Sequence, residues 1–143
     1  MKHFFALLSF IFIANVTSAQ DNTSLELDEH IVYYNVFNSS LIPADIAAIE
    51  GLVRANNQAY INVALVKKIG GNGIAMELSG VRRNLMQQRF DLEFIEIKEP
   101  TATYYLAPIR FNNEEILHID ITVTPPGAAE STTFTVTKKL YVD

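Results

Sequence analysis

The sequence predicts a mainly all-β protein, an antiparallel two-sheet β-sandwich of immunoglobulin-like type with one inserted α-helix over about Pro43 to Asn56. Three observations predict it. Leu117, Ile119, Ile121 and Val123 alternate with His118, Asp120, Thr122 and Thr124, the period of two that turns one face of a strand to a core and the other to water. Short apolar runs recur along the chain, separated by turn chemistry at Asn38-Ser39-Ser40, at Gly70-Gly71-Asn72-Gly73, at Asn112-Asn113-Glu114-Glu115 and at Pro125-Pro126-Gly127. A single stretch has helical spacing instead: Ile42, Ile46, Ile49 and Val53 fall on one stripe of an α-helix.

Taken in order, the chain begins with Lys2 and His3 before an apolar run, Phe4 to Ala14, which is too short to span a bilayer as a helix. Thr17-Ser18-Ala19 follows with the small residues a signal peptidase reads, so residues 1–19 are expected to be a secretory signal peptide cleaved after Ala19. Residues 20–143 are then expected to form one β-sandwich domain, exported and periplasmic, with no membrane insertion after cleavage. Asp21 to Glu29 reads as an acidic arm or short edge strand anchored by Leu25 and Leu27. His30 to Phe37 is a strand with apolar residues on both faces. In the helix, Ser40 is the expected N-cap, Pro43 sits in the first turn, and Asn56 or Asn57 provides the stop. Gly51 costs that helix about 1 kcal/mol relative to alanine.

Tyr60 to Val66 is the next strand, then Ile74 to Val81 after the glycine-rich turn, with Arg82 to Gln88 as a polar crossing segment. Arg89 to Phe111 forms the centre of the pattern. Phe90, Leu92 and Phe94 alternate with Arg89, Asp91 and Glu93, but the apolar phase slips by one residue at Phe94-Ile95, which predicts a β-bulge or a strand covered on both faces. Pro100 predicts a tight reversal over Glu99 to Ala102. The return strand, Thr103 to Phe111, is apolar on both faces and therefore interior, apart from Pro108, which belongs at an edge or a bulge. Thr133 to Val142 closes the fold with Phe134, Val136, Leu140 and Val142 inward; its outward threonines and Lys139 suit an edge.

Composition excludes several function classes. The 143 residues carry a formal charge of −5, and loss of Lys2 with the leader makes the remainder more acidic still. Such a balance argues against nucleic acid or an anionic membrane as the main partner. No cysteine is present, which removes thiol nucleophiles, thiolate metal sites and disulfides. The glycine-rich Gly70 to Gly73 joins two strands and lacks the lysine and hydroxyl of a phosphate loop. His30 and His118 are too few for a defended metal site, and neither Asp28-Glu29 nor Glu114-Glu115 has calcium-loop spacing. No serine lies in a nucleophile elbow. No catalytic set, metal site or cofactor is expected.

The candidate binding residues are Arg54, Arg82, Arg83, Asn84 and Arg89. Arginine concentrated in an acidic protein fits bidentate recognition of a carboxylate or phosphate, while pairing with neighbouring acids such as Asp91 and Glu93 is the plain alternative. The tyrosine pairs Tyr33-Tyr34 and Tyr104-Tyr105 are a second candidate surface, with core packing as their plain alternative.

Tyr34 to Ser40, Val53-Arg54, Gly80 to Gln87 with its Asn84-Leu85, and Ala102 to Ala107 resemble, in that order, a small exported bacterial family known as domain of unknown function 4426. The resemblance implies a periplasmic β-rich protein and supplies no catalytic residues. The functional expectation is a periplasmic, non-catalytic binding or interaction module for an unknown protein or a small anionic ligand of the cell envelope. Two alternatives are carried with it: an envelope glycan or ester hydrolase using Asp or Glu, and a structural accessory subunit of an envelope complex.

Overall fold

The computed structural model describes residues 23–143; the expected signal peptide lies outside them. Two antiparallel sheets face one another. The larger holds β1 (Ser24–Glu26), β2 (His30–Asn38), β3 (Gln58–Lys67), β8 (Ala102–Arg110) and β7 (Ile95–Glu99) in that order, with β4 (Gly73–Ile74) beside β3. The smaller holds β10 (Thr132–Leu140), β9 (Glu115–Thr124), β5 (Glu77–Arg83) and β6 (Arg89–Asp91). This is the expected sandwich, with one α-helix among the described residues, α1 (Ala44–Glu50), between β2 and β3 as expected.

Between the sheets lies the main core. β9 supplies Leu117, Ile119, Ile121 and Val123, all fully buried, and β3 supplies Ala59, Ile61, Val63 and Leu65. Tyr34 of β2 meets Phe134 of β10 across the layers, ring centroids 4.9 Å apart. The opposite face of the larger sheet is also covered: Phe37, Tyr60, Ala64, Ile97, Tyr104 and Leu106 form a second cluster with Ile42, Ile46, Ala47 and Leu52 from the α1 segment. That second layer is why β3 and β8 are apolar on both faces.

Three expectations change in detail. The helix ends at Glu50, because Gly51 adopts φ 70° and its N–H closes on the Ala47 carbonyl. Pro43, without a side-chain cap, precedes α1, and Ser40 lies in a 3-10 turn. Ile49 and Val53 consequently leave the packed stripe for solvent, while Leu52 turns inward. The phase slip at Phe94-Ile95 is not a bulge. β6 belongs to the smaller sheet and β7 to the larger, so the chain changes sheets across Leu92 to Phe94. Gly80 makes room for that crossing, since a Cβ built there would stand 2.9 Å from Leu92 Cδ1 and 3.2 Å from Phe94 Cε2. Lastly, Arg82 and Arg83 are the end of β5 rather than part of a crossing segment.

Other expectations hold. Pro100-Thr101 is a two-residue reversal between the paired Glu99 and Ala102. Pro108 lies beyond Leu106, the last β8 residue with a partner on β7, where β8 has itself become an edge. β10 is an edge strand, with lysine and threonine discouraging further pairing.

Candidate functional site

The strand registers bring one end of the sandwich together. Gln58 pairs with Arg110, Arg83 with both Arg89 and His118, and Glu115 with Leu140, so the ends of β5, β8 and β10 and the starts of β3, β6 and β9 gather there. Cross-sheet bonds close the same end: Val142 N–H donates to Asn113 Oδ1 at 2.9 Å, Asn38 Nδ2 to the Tyr141 carbonyl at 3.1 Å, and Ser40 to the Asp143 carboxylate. Every arginine of the chain lies toward this end, on three different surfaces.

Arg82 follows Leu78 and Gly80 on the inward face of β5. At the end of the strand its side chain has left the core and reaches across the gap between sheets, where Nη1 donates to the Arg110 carbonyl at 2.8 Å. The guanidinium lies 4.5 Å from the centre of the Phe90 ring, its partner across β5 and β6. Around it opens a cleft of about 390 Å³ lined by Asn57, Arg82, Asn84, Gln88, Phe90, Arg110, Phe111, Asn112 and Glu115. Asn84 shapes the wall: its Oδ1 accepts from Met86 N and Gln88 N at 2.9 and 3.0 Å, and its Nδ2 donates to Gln88 Oε1 at 2.7 Å. This side-chain turn presents Leu85 and Met86 to solvent.

Arg83 has the opposite fate. On the outward face of the smaller sheet it grips Asp120 with two donors, Nε at 2.7 Å and Nη2 at 3.0 Å, and Thr135 Oγ1 donates to the same carboxylate at 2.7 Å. The hydrogen bond from Arg83, with help from Thr135 and the nearby charge of Arg89, holds Asp120 down to a pKa of about 2. Because the folded-state value lies below the unfolded one, this contribution is complete above about pH 4 and disappears as pH falls through about 2. The pair is solvent-accessible and therefore screened, so Asp120→Asn is expected to lower stability by about 1 kcal/mol at pH 6. Urea denaturation at pH 6 and pH 2 should show that difference close between the two.

Arg89 borders a hollow of about 710 Å³ beside Asp91, Asp120, Thr122 and Thr133 on the smaller sheet. Arg54 donates from Nη2 to the Ser40 carbonyl at 3.1 Å, on the segment after α1. Of the sequence-derived set, Arg82 and Asn84 therefore share a cleft, Arg83 and Arg89 share a different surface, and Arg54 joins neither. The cleft gains residues that the sequence did not mark for this binding site: Arg110, Asn57, Gln88, Phe90, Asn112 and Glu115. The tyrosine pairs are largely structural, Tyr105 hydroxyl donating to Glu96 Oε2 at 2.7 Å and Tyr104 lying in the second core cluster.

Fold and site together define a two-sheet β-sandwich whose polar cleft lies at its end, between the sheets. The chain belongs to the family described as domain of unknown function (DUF4426), whose model matches residues 24–143. A crystal structure of a DUF4426 family protein from Pseudomonas aeruginosa PAO1 is similar, with TM-score 0.73 and 31% identity, over 84% of this chain and 94% of that one. FetP from uropathogenic E. coli, recombinantly expressed in the periplasm, shares the fold at TM-score 0.60 and 13% identity, over 83% and 93% of the two chains. A copper-bound variant of FetP does so at 0.57 and 12%, over 83% and 89%. A comparison with curated proteins finds no match. Among the described residues, no helix is long and apolar enough to cross a membrane.

Proposed function

We propose that the chain is an exported, periplasmic binding module without catalysis, and that its ligand site is the end cleft, taking a small ligand through a carboxylate or phosphate group. The observation that carries this reading is the state of two guanidiniums. Arg82 and Arg110 line one cleft in an acidic protein, yet neither has a carboxylate within ion-pair distance among the described residues, and the Arg110 side chain has no hydrogen-bond partner there. Two like charges lining one cleft favour an anion there, and guanidinium forks match carboxylate and phosphate geometry. A volume near 390 Å³ suits a small molecule.

A hydrolase finds less support. Asp91 and Asp120 do border one hollow, but a general acid needs a raised pKa, and Asp120 is clamped in the ionised form. Copper, present in the FetP variant, does not fit the donor set. His30 opens β2 at the far end of the sandwich, His118 lies on the outer face with Nδ1 2.9 Å from Thr137 Oγ1, and no group of three or more His, Cys, Asp or Glu residues gathers among those described.

Titration with phosphate and succinate at low salt, followed by backbone and arginine Nε–H NMR shifts, tests the proposal. Saturable shifts are expected at Arg82, Gln88, Arg110 and Asn112, and Arg110→Ala should weaken binding at least fivefold. Arg110 is exposed, so that substitution should spare folding. Shifts elsewhere only, or equal binding by Arg110→Ala, would overturn it.

A further inference from the structure

The cleft is not purely cationic. Glu115 lies in its wall, at the first position of β9, in a turn where Glu115 Oε1 accepts from Asn112 N at 3.0 Å and Glu115 N donates to the Asn112 carbonyl at 3.1 Å. Those bonds fix the carboxylate in place, leave its Oε2 without a hydrogen-bond partner among the described residues, and do not neutralise its charge. No cation lies within ion-pair distance of it there. The same cleft therefore presents two guanidiniums and one carboxylate, none of them paired with another. The side chains of Asn57 and Asn112 likewise make no hydrogen bond there, and the Phe90 ring, 4.5 Å from the Arg82 guanidinium, contributes apolar surface to the lining.

Resting on the binding reading above, we infer that the ligand is an α-amino acid zwitterion, its carboxylate held by Arg82 and Arg110, its ammonium by Glu115, and an apolar side chain laid along Phe90. A plain anion would satisfy the arginines and leave Glu115 facing like charge. A plain cation would satisfy Glu115 and face two guanidiniums. A group carrying both charges is complementary to all three at once, and this kind of charge placement discriminates among ligands more than it adds raw affinity.

Calorimetric or NMR titration of the full mature chain with L-leucine, N-acetyl-L-leucine, L-leucinamide and inorganic phosphate separates the possibilities. L-leucine is expected to bind at least tenfold more tightly than N-acetyl-L-leucine, which lacks the ammonium, and than L-leucinamide, which lacks the carboxylate. Glu115→Gln keeps an acceptor for Asn112 N and should abolish the preference over N-acetyl-L-leucine, whereas Arg110→Ala should weaken both carboxylates alike. If N-acetyl-L-leucine or phosphate binds as well as L-leucine, the zwitterion is wrong and the anion cleft stands. Binding of L-leucinamide equal to that of L-leucine would remove the role given to the arginines. If no probe binds, both readings fall.

Discussion

Replacing Ile121 by alanine is expected to lower stability by about 2–5 kcal/mol, a loss that should appear as a fall in Tm of roughly 8–20 °C. Ile121 is fully buried on β9, between β5 and β10. Its partner across β5 is Gly80, and a Cβ built on Gly80 would stand 3.1 Å from Ile121 Cδ1, so the isoleucine already fills the space its neighbour leaves. Truncation there removes apolar contacts that a glycine cannot replace, beside Leu92 and Phe94, whose side chains meet the same space above Gly80 and whose backbone spans the two sheets. Thr122→Ala, next in sequence but on the outer face with its hydroxyl 2.9 Å from that of Thr133, should stay within about 0.5 kcal/mol. Thermal melts in which the two variants fell equally would contradict the assigned core face.

The double substitution Asn35→Leu with Asn62→Leu is expected to raise stability by about 2 kcal/mol or more. The two asparagines are partners across β2 and β3, on the face covered by the α1 segment, and they are 5% and 0% exposed. Both amide ends of each side chain lack a hydrogen-bond partner among the described residues. An unsatisfied buried polar group costs about 1–3 kcal/mol, while apolar side chains of similar size restore ordinary packing beside Tyr104 and Leu106. Urea denaturation of the double variant checks the sign. A loss of stability would mean that the amides have partners in solution, water being the simplest.

Much of the fold was legible because it depends on periodicity. The alternation from Leu117 to Val123 became a strand with every apolar position fully buried, and the two-faced apolarity of Thr103 to Phe111 became a strand between two packed layers. What was not legible depended on partners distant in sequence. The slip at Phe94-Ile95 reads the same whether a strand bulges or leaves its sheet, and only the pairing of Ile95 with Leu106, against that of Asp91 with Val81, decides between them. The helix was overextended because Val53 continues the stripe numerically, although Gly51 in a left-handed conformation had already ended it.

The candidate site was legible in part, for a similar reason. Arg82 and Arg83 are neighbours in sequence, so a strand sends them to opposite faces, and the cluster had to divide. Arg83 found Asp120 on the adjacent strand, as ordinary charge pairing would have it. Arg82 found Arg110, a residue 28 positions away whose place at the end of its strand carried no mark in the sequence. Arg54 was the least informative member, since its position depended on where α1 stopped.

The route of the chain from Arg89 to Glu99 has a mechanical consequence. Side-chain packing alone would let two sheets slide or separate by breaking weak contacts one after another. Here the backbone also passes from one sheet to the other between β4 and β5, through Leu92 to Phe94, and between β8 and β9, and the second of these crossings joins the layers covalently at one edge of both sheets. A load that pulls the layers apart must straighten these crossings, and the edge where β1 and β10 lie, which none of them reaches, is the side from which the sandwich can open like a book.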